Sequence, residues 1–275
     1  MQQHSITLDD ITLNVQDTGG GGPPVVLIHP WPMTLAACKP QISALMAAGY
    51  RVISYDRRGF GDSEKPAAGY DWDSFATDLV KLIVSLRLTG ATLVGIGMGC
   101  GEIVQFFSRF GGAIVDKAVL ISTFTPFVLK GFGNPDGWLP LDEQEAMRQA
   151  LEDDRNAFFV DLVTRYYSVN GELKITDQQF RDAIRMCKFS DPTAAVECFE
   201  RFCSRDFRRQ LADINKPTLI IHGDSDAFSP CPNTATLTQE LIPGSQLVVL
   251  EGAPHGCNLT HADEVNALLL DFISR

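Results

Sequence analysis

Apolar residues along this chain come in two rhythms. Residues 5–8 and 11–17 alternate apolar and polar side chains, which predicts an opening hairpin, and the glycine run at 19–22 ends it. Short, almost wholly apolar runs follow at 25–29, 51–56, 92–97 and 117–123, separated by helical patterns at 36–48, 73–88 and 99–110. A strand buried on both faces reads as such a run. Strand and helix alternating at this spacing make right-handed crossovers, and hence an α/β fold with a mostly parallel central sheet flanked by helices.

The alternation then stops. From 126 to 213 no run reads as a buried strand; a Gly/Pro-rich stretch at 130–140 leads into charged amphipathic helices at 143–152, 155–167 and 193–202. Sheet-like runs resume at 218–223 and 246–252, and the last helix covers 262–273. This pattern predicts a core of residues 1–125 and 213–275 with an inserted helical cap at 126–212. A chain of 275 residues, 45% of them apolar, can bury the core of one compact domain carrying such a lobe.

Charge narrows the partners. A net charge of −11 repels nucleic acid and anionic membranes, which leaves a small-molecule substrate as the expected partner, with a homo-oligomer compatible with everything read so far. No apolar run reaches the roughly 18 to 20 residues of a membrane span, and the opening MQQHSITLDD lacks the basic and apolar regions of a signal peptide, so a cytoplasmic location is expected. The seven cysteines (Cys38, Cys100, Cys187, Cys198, Cys203, Cys231, Cys257) are odd in number and show no C-x-x-C spacing. They read as reduced, buried thiols, with neither a metal nor a cofactor expected.

In an open parallel sheet, ligands bind beyond the carboxyl ends of the strands, so chemistry is sought in the loops there. Gly95-Ile96-Gly97-Met98-Gly99 falls between a strand and a helix and has the small flanking residues of a G-x-S-x-G nucleophile elbow, with Gly97 where the serine would stand. The dinucleotide fingerprint G-x-G-x-x-G fails in this stretch, since Cys100 or Glu102 would take its last position. After the first parallel strand comes His29-Pro30-Trp31-Pro32, where such a fold draws one oxyanion donor. Prolines have no N–H, so Trp31 is the backbone donor within 30–32, and Met98, after the elbow position, would be the second. His222-Gly223-Asp224-Ser225-Asp226 offers two aspartates that could orient an imidazole, and Gly252-Ala253-Pro254-His255-Gly256 offers the imidazole. The chain order of nucleophile position, acid and histidine is that of the α/β-hydrolase fold. His29 and His222, at strand ends, read as structural histidines.

With those residues in view, the sequence resembles the bacterial non-haem haloperoxidases and their aryl-esterase and perhydrolase relatives. The matching stretches are VVLIHPWP, GYRVISYDRRGFGDSEKP, TLVGIGMGCGEIV, PTLIIHGDSDAFSP and EGAPHGCNLTHADEVNALLLDFI, which run from residue 25 to the C-terminus and spare only the cap. The resemblance implies that Gly97 holds the nucleophile position, that Asp226 rather than Asp224 is the acid, that His255 is the base, and that Trp31 and Met98 form the oxyanion hole. It also implies ester hydrolysis, formation of peracids from a carboxylic acid and peroxide, and halide oxidation without metal or haem. Pro32 is similar to the residue of members with good perhydrolase activity. Phe124, Phe127, Trp138, Phe158 and Phe159 are expected to shape the substrate pocket.

Three positions depart from that pattern: Gly97 for serine, Pro30 for glycine, and Cys100 for a small residue. Glycine has no hydroxyl for a histidine to deprotonate, so covalent acyl transfer is expected to be disabled, whether by inactivation of a working enzyme or by divergence. Other readings are a non-hydrolytic enzyme (lyase, cyclase or cofactor-free oxygenase) using the Asp226–His255 pair as general base, and a ligand-binding protein without catalysis. Cys100 is a poor substitute nucleophile, because it lies three residues past the elbow and inside the helix.

Overall fold

A computed structural model describes residues 2–275. An antiparallel pair, β1 (Gln2–Leu8) and β2 (Ile11–Asp17), opens the chain. Then β3 (Pro24–Ile28), α1 (Lys39–Ala47), β4 (Arg51–Tyr55), α2 (Trp72–Ser85), β5 (Ala91–Ile96), α3 (Met98–Phe110) and β6 (Val115–Ile121) follow in alternation. Four helices come next: α4 (Leu141–Asp153), α5 (Arg155–Tyr167), α6 (Asp177–Lys188) and α7 (Pro192–Ser204). The sheet closes with β9 (Thr218–Gly223) and β10 (Gln246–Leu250), with α8 (Ala235–Leu241) between them and α9 (Cys257–Thr260) and α10 (Ala262–Ser274) after them. Strand order is β1-β2-β4-β3-β5-β6-β9-β10, parallel from β4 to β10.

Among the described residues, 126–213 holds no buried strand, and its strands are short and partly exposed. A two-residue pair, β7 (Ser168–Val169) with β8 (Glu172–Leu173), lies between α5 and α6. It is too short to show alternation; its local signal is the Asn170-Gly171 turn, both residues of which take positive φ (51° and 79°), the conformation a tight hairpin demands. The start of α6 is set by a capping box between Thr176 and Gln179.

Each central strand feeds two cores, as the period of two requires. Val26, Ile28, Leu93, Ala118, Leu120 and Ile220 face one side, where α2, α3 and the inserted helices pack. Val25, Leu27, Val94, Ile96, Val119, Ile121 and Ile221 face the other, against Ile42 and Leu45 of α1 and Val265, Leu269 and Phe272 of α10. The first core runs without a break from the sheet into Phe158, Phe159, Phe199 and Phe202 of the insertion, so the inserted helices share a core with the sheet. Among the described residues no helix is long and apolar enough to cross a membrane.

Candidate active site

The loops after β3, β5, β9 and β10 meet at one end of the sheet. The turn after β5 is forced tight by its glycines. A Cβ at Gly95 would stand 2.5 Å from the carbonyl carbon of Gly99, and one at Gly99 would stand 2.5 Å from the Ile28 oxygen, so both positions admit only glycine. Between them Gly97 takes φ 54°, ψ −117°, directly before the first residue of α3. Its own constraint is different. A Cβ there would meet Pro30 Cβ at 3.3 Å and His255 Nε2 at 3.5 Å, so a side chain at this position would be aimed at the imidazole.

His255 is held from behind. Its Nδ1 lies 2.7 Å from Asp226 Oδ2; a carboxylate only accepts, so Nδ1 carries a hydrogen, and a base at this ring would act through Nε2. Nε2 is buried and has no hydrogen-bond partner among the described residues. Asp226 is itself fully buried, and its Oδ1 accepts from the N–H groups of Phe228 (2.9 Å) and Ser229 (2.7 Å). Burial alone would raise this carboxyl, but the attraction of His255 and hydrogen bonds from His222 and His255 outweigh it and hold the group well below the usual carboxylate range. Asp224, by contrast, is exposed and accepts from Ser225 Oγ (2.9 Å) and the Gly252 N–H (2.8 Å).

His222 and His29 serve the scaffold. His222 Nε2 donates to the Ser229 oxygen (2.8 Å) and lies 3.1 Å from Asp226 Oδ2. His29 Nε2 accepts from the Arg57 N–H (3.0 Å), which leaves its Nδ1 to donate to the Pro30 oxygen (2.9 Å) and brace the loop carrying Trp31. Burial, with the Arg57 charge beside it, holds the His29 imidazole well below its ordinary value. Behind it the buried pair Arg57–Glu102 (2.8 Å) and the Tyr55 hydroxyl, bonded to Glu102, link β4 to α3.

The pocket between these loops has about 220 Å³ of empty space, its mouth included, and is lined by Trp31, Gly97, Met98, Phe124, Tyr166, Phe202, Phe228 and His255. Of the five aromatic residues expected to shape it, only Phe124 does. Phe127 lies under the Arg208 guanidinium, Trp138 packs on the far side of Phe228, and Phe158 and Phe159 form the layer behind Trp31. These four are corrected by packing: the rings nearest the pocket shield the rest from it. Tyr166, Phe202 and Phe228 were not anticipated. Phe228 had a usable signal, two residues after Asp226, whereas Tyr166 and Phe202 reach the pocket only through the docking angle of α5 and α7.

Cys100 faces away from the pocket into the turn, with Sγ 3.3 Å from the Gly95 oxygen and 3.5 Å from the Ile121 oxygen, and burial pushes its thiol up to about 12.

Comparison with known proteins agrees with this fold. Residues 23–262 match the family described as alpha/beta hydrolase fold. A non-heme chloroperoxidase of Kitasatospora aureofaciens is 35% identical over 272 residues, covering 98% of each chain. A bifunctional esterase/perhydrolase of Acinetobacter calcoaceticus is 31% identical, over 97% of this chain and 98% of the relative. The crystal structure of a bromoperoxidase from Bacillus anthracis, 36% identical, superimposes with a TM-score of 0.96 over the whole of both chains. By sequence over nearly its full length and by the arrangement of its sheet, the chain belongs to the α/β-hydrolase family, among the non-heme haloperoxidases and esterase/perhydrolases.

Proposed function

We propose that this chain keeps the ester-handling apparatus of an esterase or perhydrolase for a small acyl substrate, and that glycine at the nucleophile position removes the covalent step. One observation carries the reading: a Cβ at Gly97 would point at the unpartnered, buried Nε2 of His255 from 3.5 Å, so a serine hydroxyl one bond further would reach it. In this scheme Asp226 orients the imidazole, His255 is the base, and the N–H groups of Trp31 and Met98 receive the oxyanion.

Without a serine the pair can still take a proton from water. The water oxygen would attack the ester carbonyl, the carbonyl electrons would move onto its oxygen between the two N–H groups, and His255 would return the proton to the departing alkoxide or phenoxide. Nothing fixes that water as covalent attachment fixes a serine, so turnover on this route is slow. The cavity itself is small, about 10 Å³, which is room for about one water molecule and favours the shortest acyl groups. The name of the esterase/perhydrolase relative supports the same substrate class.

The test is Gly97→Ser. Gain of hydrolysis of a small aryl acetate, together with labelling by a serine-directed phosphonate, is the expected result. A folded variant that shows neither would overturn the reading. It would favour instead a non-hydrolytic role for His255 as general base on an acidic substrate proton, as in a lyase, cyclase or cofactor-free oxygenase, or a protein that only binds its ligand.

A further inference from the structure

One residue of the inserted helices touches both halves of the site. Tyr166, near the end of α5, is buried, and its hydroxyl donates to the Trp31 carbonyl at 2.8 Å. The His255 ring stands edge-on to the Tyr166 ring, with centroids 4.3 Å apart and planes at 84°. Its main-chain oxygen accepts the N–H of Gly256, the next residue after His255, at 2.8 Å. One rigid side chain and its own peptide therefore touch the residue assigned as oxyanion donor, the imidazole assigned as base, and the backbone that carries that imidazole.

Neighbouring contacts reinforce the arrangement. A Cβ at Gly256 would fall 2.1 Å from Cε1 of Tyr167, so glycine there lets the end of α5 approach the histidine loop. The Trp31 indole Nε1 donates to the Ala195 oxygen of α7 at 3.0 Å, so Trp31 is tied to the insertion by its side chain as well as by its carbonyl. Burial pushes the Tyr166 phenol well above its ordinary value, which keeps the hydroxyl a neutral donor.

We infer that Tyr166 is a positioning residue that couples the Trp31 loop to the His255 loop, so that the inserted helices set the spacing between oxyanion donor and base. The inference rests on the ester-handling reading of the site for its catalytic consequence, though the coupling itself does not. Losing the hydroxyl frees the Trp31 carbonyl while the ring still packs on His255. The oxyanion donor then wanders, and transition-state stabilisation falls more than substrate binding.

Two measurements separate the outcomes. In the Gly97→Ser background, Tyr166→Phe is expected to lower kcat for a small aryl acetate about tenfold, counted per phosphonate-titratable site, with KM changed less than about twofold. A merely structural role would reduce the number of titratable sites and leave kcat per site unchanged, and that result overturns the inference. In the unsubstituted Gly97 protein, Tyr166→Phe is expected to move the amide NMR signal of Trp31 while that of Gly256, bonded to the main chain of 166, stays in place. If Gly97→Ser is inert and the Trp31 signal still moves, the ester reading fails and the coupling stands. A Trp31 signal that does not move overturns the coupling whatever the activity.

Discussion

Placing serine at position 97 should cost stability as it creates a nucleophile, and both effects have the same structural cause. The backbone there sits at φ 54°, ψ −117°, which a residue with a Cβ adopts only under strain of about 1 to 3 kcal/mol. The new Cβ would also stand 3.3 Å from Pro30 Cβ, closer than such atoms ordinarily pack, so the proline ring must shift by a few tenths of an ångström. Gly97→Ser is therefore expected to lower unfolding stability by about 1 to 3 kcal/mol, a fall in Tm of roughly 2 to 5 °C for a chain of this length. Pro30→Gly removes the contact. A double-mutant cycle in urea should accordingly return a favourable coupling of about 0.5 to 1 kcal/mol between the two substitutions, even though Pro30→Gly alone loosens the unfolded chain and costs stability by itself. The paired variant should also hydrolyse aryl acetates faster than Gly97→Ser alone, because the serine can then rotate freely towards His255. Unchanged or increased stability on Gly97→Ser would mean that the turn does not hold residue 97 at positive φ. Zero coupling would mean that Pro30 does not crowd the position. Either result would refute the argument that this loop pair is fitted to glycine.

Gly95→Ala tests the elbow itself: with a Cβ overlapping the Gly99 carbonyl and Cys100 N–H at 2.5 to 2.7 Å, it should destabilise by about 3 kcal/mol or more in urea, well beyond Gly97→Ser. Asp226 has a folded-state carboxyl held below its ordinary value of 3.8, so its contribution is fully present above that value and is lost as pH falls towards the lowered one; Asp226→Asn should flatten stability against pH in that acid range, and an unaltered acid limb would contradict the assignment. With its thiol at about 12 and its sulfur turned into the β5–α3 turn, Cys100 should resist iodoacetamide in the native protein at neutral pH, and Cys100→Ala should leave any residual hydrolysis intact, read by mass spectrometry and ester assay.

The sheet was legible because parallel strands buried on both faces leave continuous apolar runs, and those at residues 25–29, 51–56 and 218–223 match β3, β4 and β9 to within a residue at each end. The loops that meet at the site were legible for a related reason: Gly97 directly follows β5, and Asp226 and His255 lie in the loops that follow β9 and β10, so position along the chain fixes position in the fold. The sequence alone also determined that no hydroxyl stands at residue 97. What it could not determine is anything that depends on how one helix docks on another. Choosing Asp226 over Asp224 from the residues alone was impossible, since both follow β9; the turn buries one beside His255 and leaves the other exposed. Phe158 and Phe159 had the same apolar signature as Tyr166 on the same helix, yet only Tyr166 reaches the pocket, because the tilt of α5 over the sheet decides which of its side chains face the imidazole. Periodicity assigns a residue to a buried face, but which atoms meet there is settled by close packing between elements far apart in sequence, and that is a property of the tertiary structure.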